Sequence, residues 1–213
     1  MLNPKNQKLN KFLKEGGIPS LYLKLTDLTG YPVVMDKLAK ISDEHGLLIY
    51  GGVGSGKTQL AVDLMEYLAE EKQTNQEVGE NVDYVDNRAI VETKWEKAYN
   101  PYLFQFFNVP KLLIQIRGLY DHEGESVEEF INNLDSYEYL ILDDLGAEKP
   151  SEWVLEILYV IINQRYEKQK KLIVTSNKST QELGNVLGDR IASRLMEMCK
   201  VIKIGSEDRR AKL

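Results

Sequence analysis

Residues 51–58 read Gly51-Gly52-Val53-Gly54-Ser55-Gly56-Lys57-Thr58 and follow directly on the apolar run Leu47-Leu48-Ile49-Tyr50. A strand that ends in glycines and opens into a helix aims successive backbone N–H groups at one point. The helix N-terminus adds its partial positive charge there, which suits an anionic polyphosphate. Lys57 can reach the β- and γ-phosphates, and the Thr58 hydroxyl can ligate magnesium. With uniform residue usage the pattern would arise by chance in about 0.3% of chains this long, and a plain glycine-rich turn would not require Lys and Thr at those positions. The nucleotide contacts expected of this loop are Gly52, Val53, Gly54, Ser55, Gly56, Lys57, Thr58 and Gln59. The ligands it implies are ATP and Mg2+.

Composition sets limits around that loop. A chain of 213 residues is long enough for one α/β domain with a buried parallel sheet and too short for two full domains. Its one cysteine, Cys199, excludes an intramolecular disulfide and a Cys-cluster zinc site, and His45 and His122 have no metal-ligand spacing, so no zinc is expected. No apolar run approaches the ~18 residues that span a bilayer, and no signal-peptide pattern opens the chain. A cytoplasmic protein with no membrane contact is expected. The net charge of −6 argues against nonspecific nucleic-acid binding by the whole surface and leaves room for a local basic patch.

Along the chain, strands are expected at Leu47–Tyr50, Leu103–Phe107, Tyr139–Leu142, Leu172–Thr175 and Val201–Ile204, alternating with helices. The pattern predicts a five-stranded parallel sheet with helices on both faces, the architecture of a P-loop NTPase. The helix after the loop should bury Leu60, Leu64 and Leu68. Asn108 reads as the cap of a helix running through Ile116, with helices also over Ser126–Leu134 and Trp153–Arg165. A short helix is expected from Tyr31 to Ile41. Residues 1–15, with four lysines and one glutamate, read as a flexible basic tail before a domain spanning 16–213. The segment 71–100 is too long for a plain connection and reads as an insertion. It either forms a short helix with Trp95 packed on the domain or acts as a partner-binding arm.

Three further clusters carry chemistry. Leu140-Ile141-Leu142-Asp143-Asp144 is an apolar strand ending in two acids at the sheet edge that presents the phosphate loop. Asp143 would hold magnesium and Asp144 would orient or deprotonate the attacking water. Thr175-Ser176-Asn177 ends the next strand at the same edge, with Asn177 best placed to meet the γ-phosphate. Arg190 and Arg194 lie at i, i+4 on one helix face, either as solvated cations or with one of them entering a neighbour's site. Arg209 and Arg210 follow the last strand, where either could touch phosphate.

Together, Asp143-Asp144-Leu145-Gly146-Ala147-Glu148, Thr175-Ser176-Asn177, Arg190 to Arg194, Gly205 to Arg209 and the entry segment Gly17-Ile18-Pro19 resemble the DnaC/DnaI/IstB group of AAA+ ATPases over roughly residues 16–213. That group contains loaders of the replicative helicase and the ATPase subunits of certain transposons. The resemblance implies Walker A roles for Lys57 and Thr58, and Walker B roles for Asp143 and Asp144. It makes Asn177 the sensor I residue, Arg194 the arginine finger and Arg209 the sensor II arginine. It also implies an AAA+ core without a C-terminal helical lid, which agrees with the nine residues after Ile204. Residues 1–15 are too short for the N-terminal helicase-binding domain that loaders of the group usually carry.

The function this implies is ATP hydrolysis in DNA replication by a helicase loader. A DnaB-like replicative helicase and single-stranded DNA are the expected partners, with Lys111 and Arg117 as candidate DNA contacts. A homo-oligomer in the ATP state, joined through Arg194, completes the reading. Two readings stand beside it: an IstB-like transposition or phage-replication accessory ATPase, and a nucleotide-gated DNA-binding adaptor with negligible turnover. A small-molecule kinase would need a substrate-binding insertion, for which 71–100 is the candidate.

Overall fold

A computed structural model of the chain describes residues 4–24, 38–40, 44–85, 88–120, 124 and 126–205. In chain order the elements are α1 (Pro4–Glu15), β1 (Gly46–Tyr50), α2 (Lys57–Glu71), β2 (Thr74–Val85), β3 (Arg88–Ala98), β4 (Phe104–Asn108), α3 (Val109–Leu119), α4 (Val127–Leu134), β5 (Tyr139–Asp143), α5 (Glu152–Glu167), β6 (Lys171–Ser176), α6 (Thr180–Leu187), α7 (Asp189–Met198) and β7 (Cys199–Lys203). A single 3-10 turn covers Tyr22–Lys24. Five strands form one sheet in the order β4-β5-β6-β1-β7, and every pairing in it is parallel. This is the doubly wound P-loop architecture that the alternation of strands and helices predicts.

The pleat sorts the core. On one face Leu48, Leu140, Leu142, Leu172 and Val174 pack against α3 to α7 through residues such as Leu112, Phe130, Leu158, Leu183 and Leu195. On the other, Leu47, Ile49, Phe106, Tyr139, Ile141 and Ile173 pack under α2 through Ala61, Leu64, Met65 and Leu68. Successive strand residues thus enter opposite layers, so the central strands read as unbroken apolar runs rather than alternating ones. Among the described residues no helix is long and apolar enough to cross a membrane.

The N-terminus departs from the expected flexible tail. Residues 4–15 form α1, and Leu9, Phe12 and Leu13 at i, i+3, i+4 are buried on the α2 side of the sheet. Phe12 stacks on Tyr99 with ring centroids 4.9 Å apart and meets Phe104 edge-on at 5.4 Å. Gly17, at φ 87°, terminates the helix, with Gly17 N–H donating to Lys14 O and Ile18 N–H to Leu13 O. The Gly16 carbonyl then accepts the Phe106 N–H at 2.8 Å, and a Cβ on Gly16 would strike the Phe104 ring. The lysines of this segment mask an apolar stripe whose partner lies ninety residues away.

The segment 71–100 also departs from the expected short helix. After α2 the chain forms an antiparallel hairpin, β2 and β3, with Val82 opposite Val91 and Glu77 opposite Trp95 in the register and a bulge between Glu77 and Gly79. Among the described residues it forms a two-stranded sheet of its own, separate from the main sheet. The expected helix from Tyr31 to Ile41 falls largely outside the described residues, although Leu38 to Lys40 are helical and Leu38 and Ala39 are buried.

At the sheet edge far from the phosphate loop, Arg165 of α5 is 0% exposed. Its guanidinium donates to the carbonyls of Leu134, Tyr137, Glu138 and Lys171 and lies 3.8 Å from Asp135. Burial pushes its pKa down to about 10, with Asp135 opposing the fall, so it stays charged at neutral pH. One side chain therefore ties the α4–β5 connection to the start of β6. Replacing it with Leu would leave several buried carbonyls without a donor and should cost about 3–5 kcal/mol in urea denaturation. Leu13→Ala should cost about 2–5 kcal/mol in the same assay, whereas a flexible tail would register no loss.

Candidate nucleotide site

The loop leaves β1 at Gly51, whose N–H donates to Ser176 O. Gly54 (φ 76°) and Gly56 (φ 90°) adopt the left-handed conformation that brings successive N–H groups round to one side, and Gly56 is the N-cap of α2. Gly51 has no room for a side chain: a Cβ there would lie 2.6 Å from Ile204 O and 3.2 Å from Ser55 Oγ. Ser55 Oγ is buried without a hydrogen-bond partner among the described residues, so the cradle offers a hydroxyl still available. Val53 at the tip is exposed.

Lys57, only 6% exposed, opens α2. Its Nζ donates to Asn177 Oδ1 at 2.7 Å, to Gly52 O at 2.8 Å and to Gly51 O at 3.2 Å. The loop lysine and the polar end of β6 therefore meet, although 120 positions separate them. Thr58 Oγ1 donates to Asp143 Oδ1 at 2.7 Å, which joins the first turn of α2 to the end of β5. Gln59 turns away, bonding Asp63 Oδ1 and Tyr22 O.

Asp143 is 4% exposed at the end of a wholly buried strand. Burial raises its pKa above the ordinary carboxylate value, and the neighbouring Asp144 charge adds to the rise. Hydrogen bonds from Thr58, Thr175 and Asn108 oppose it. Asp144 follows at φ 61°, a conformation that costs a non-glycine residue on the order of 1–3 kcal/mol. Its N–H donates to Thr175 Oγ1, and the next N–H, of Leu145, donates to Thr175 O. The turn then closes on Glu148, whose carboxylate oxygens both accept the Gly146 N–H at 3.1 Å. Burial raises the Glu148 pKa against those backbone bonds and the nearby Lys178.

Three residues of this site were not read as site residues from the sequence. Asn108 occupies the N-cap position of α3 but makes no side-chain cap. Its amide instead donates to Asp144 Oδ2 at 3.4 Å. Thr175 binds both acids, and Glu148 holds the turn behind them. Asn108 carried a readable signal: it ends the strand next to β5, so register brings it level with Asp143.

Of the other expected residues, Arg194 is not brought to this loop. It lies on α7, which packs on the opposite face of the sheet from α2. There its guanidinium donates to Asn163 Oδ1 (2.7 Å), the Tyr159 hydroxyl (3.2 Å) and Arg190 O (3.2 Å) and stacks over the Tyr159 ring. Arg190 is exposed one turn earlier. Arg209 and Arg210 lie outside the described residues. The chain enters that region beside the loop, since Ile204 N–H donates to Tyr50 O and Ile204 O abuts Gly51.

A family model described as IstB-like ATP binding protein matches residues 101–213. That is more than half of the chain, and the chain belongs to this family. In solved structures, the chain is similar to the DnaC helicase loader (24% identity, 81% of this chain and 86% of that one, TM-score 0.59). It is also similar to a putative primosome component from Streptococcus pyogenes serotype M3 (19%, 93% and 98%, TM-score 0.61). DnaI gives a comparable match (18%, 92% and 100%, TM-score 0.60). At these identities the structural likeness establishes the fold alone, a P-loop core with a five-stranded parallel sheet. The family match begins after the hairpin, so the phosphate loop stands on its own residues and geometry.

A carboxylate whose folded pKa is raised favours the folded state when protonated, and that stability is lost as pH rises from the ordinary value of 3.8 through the raised one. Asp143→Asn removes this loss while keeping an oxygen for Thr58 and Thr175. The variant should be at least as stable as wild type at neutral pH, with a flatter stability profile through the acidic range in chemical denaturation across pH.

Proposed function

We propose that this member of the IstB-like ATP-binding family hydrolyses ATP and acts as a loader of a replicative helicase. The observation that carries the hydrolysis is the convergence of Lys57, Thr58, Asp143, Asp144 and Asn177 at one sheet edge. Backbone amides of Gly52 to Gly56 would cradle the α- and β-phosphates, and Lys57 would exchange its carbonyl partners for phosphate oxygens. Thr58 and Asp143 fit a magnesium ion: both offer hard oxygens, 2.7 Å apart, and among the described residues the buried acid is bonded by Thr58, Thr175 and Asn108, none of them a cation. A bound ion would supply charge neutralisation at the β- and γ-phosphates. Asp144 would accept a proton from water as the water oxygen bonds to the γ-phosphorus and the bond to ADP breaks. Asn177 would hold the γ-phosphate from the side.

The position of Arg194 supports completion of the site by a second copy. On the far face it cannot serve its own loop, whereas a head-to-tail contact would present it to a neighbour's. Arg209, the sensor II arginine by resemblance, would contact the nucleotide of its own copy. Single-stranded DNA finds support on α3, where Lys111 is exposed and Arg117 lies 4.5 Å over the Trp153 ring beside exposed Tyr120. The family description favours one further reading, an accessory ATPase of transposition, which has the same site and a different partner.

Lys57→Ala should abolish binding of a fluorescent ATP analogue, and Asp144→Asn should retain binding while turnover falls about 100-fold or more. Arg194→Ala should leave monomer binding intact and remove the rate increase on assembly, which an arginine in trans makes roughly 10³–10⁵-fold in well-studied NTPases. Wild-type protein should retain a replicative helicase from extract in an ATP-dependent way. Retention of a transposase would support the second reading, and hydrolysis undetectable with single-stranded DNA and partner present, with Asp144→Asn indistinguishable from wild type, would remove the enzyme reading. Arg117→Ala should weaken single-stranded DNA binding and lower its salt slope by about 1.

A further inference from the structure

We propose that Thr175 is a positioning residue that sets both site acids through one hydroxyl, fixing Asp143 for the metal and Asp144 for the attacking water. The inference rests on the hydrolytic reading above and concerns a residue to which that reading gives no part. β5 and β6 are parallel neighbours, with Leu142 level with Val174. One step further along each strand stand Asp143 and Thr175, on the sheet face that carries Ile141 and Ile173 beneath α2. Pleat and register therefore deliver this hydroxyl and this carboxylate to the same point, under the first turn of α2.

Thr175 is fully buried, and its hydroxyl both donates and accepts. Thr175 Oγ1 donates to Asp143 Oδ1 at 2.7 Å and accepts the Asp144 N–H at 3.0 Å. The second bond is the informative one. Asp144 lies beyond the last register pair of β5 with β6, Leu142 with Val174, and its partly buried N–H bonds a side-chain hydroxyl; leaving it without that partner would be costly. Thr175 supplies that partner, while its own carbonyl takes the Leu145 N–H and the Ser176 hydroxyl bonds Leu145 O at 2.7 Å. The strained conformation that separates the two carboxylates is thereby held from β6. Thr58 also donates to Asp143 Oδ1, but Thr58 must serve the cation as well; Thr175 serves the acids alone.

A threonine merely filling space in the sheet would be replaceable by valine of the same shape. In the full chain, Thr175→Val should lower the ATP turnover number about 10–100-fold and raise the half-saturating Mg2+ concentration several-fold. Affinity for the fluorescent ATP analogue measured in EDTA should stay within about twofold of wild type. Thr175→Ser, which restores the hydroxyl without the methyl group, should recover most of the turnover and the wild-type Mg2+ dependence. Thr175→Cys keeps the volume with a weak donor and should fall between them, which preserves the test should the valine protein not fold. A valine or cysteine protein with wild-type turnover and Mg2+ dependence would overturn the proposal, as would a serine protein no better than the valine one. Asp144→Asn run in parallel separates the two readings. If it is inactive while Thr175→Val is normal, only the role of Thr175 fails; if the wild-type chain itself shows no turnover with single-stranded DNA and partner present, the hydrolytic reading fails first.

Discussion

A carboxylate buried at the end of an apolar strand is the constraint around which this molecule is arranged. Tyr139 to Asp143 is buried throughout, and a charge at its last position would be costly without compensation. Compensation comes from three directions. Thr58 arrives on the first turn of α2, Thr175 from the neighbouring strand, and Asn108 from the strand on the other side. Each donor sits on a different element, so the acid can be satisfied only when β4, β5, β6 and α2 are in register together. The hydrogen bonds lower its pKa, yet burial outweighs them and the net shift is upward. The charge on this carboxylate is therefore incompletely compensated, which suits an oxygen proposed to receive a cation.

The opposite sheet edge solves the inverse problem. There the buried charge is the cation Arg165, and the compensating groups are backbone carbonyls from the α4–β5 connection and the start of β6. The two ends differ in what they leave over. Around Arg165 carbonyls crowd the guanidinium, Lys168 reinforces Asp135 at 2.7 Å, and no reactive arrangement results. At the loop end a strained Asp144, a buried Ser55 hydroxyl and a lysine held by two loop carbonyls and Asn177 remain. The contrast separates a fastening from a site: the first spends every polar group, the second keeps several in reserve.

What could be read from the sequence follows from the range of the interactions involved. The phosphate loop, the acids after Leu142 and the five strands are local patterns, and each is found within a residue or two of its expected place. Asn177 was legible because strand order puts the end of β6 at the loop. The features that were missed depend on distant partners. Leu9, Phe12 and Leu13 sit among lysines, and only the Phe104 and Tyr99 rings reveal them as a buried stripe. In β2, the bulge between Glu77 and Gly79 breaks the twofold alternation that would have announced a strand. Asn108 satisfied a local rule for helix capping, and a tertiary contact with Asp144 overrode it.

The location of Arg194 bears on how such a site could be switched. Its guanidinium is already engaged by Asn163, Tyr159 and the Arg190 carbonyl, so little rotamer freedom would be lost on meeting an anion. The acid pair is likewise held in advance, through Thr175 and the Glu148 turn. Arg194 and the acid pair lie on opposite faces of one sheet, so on the proposed reading they would meet across a contact between copies. Control of turnover would then reside in the docking of rigid surfaces rather than in rearrangement of the acids, and the rate would follow the fraction of chains in contact. For a protein whose proposed task is to act only when gathered on a partner, this division keeps nucleotide binding available to every copy and reserves hydrolysis for the assembly.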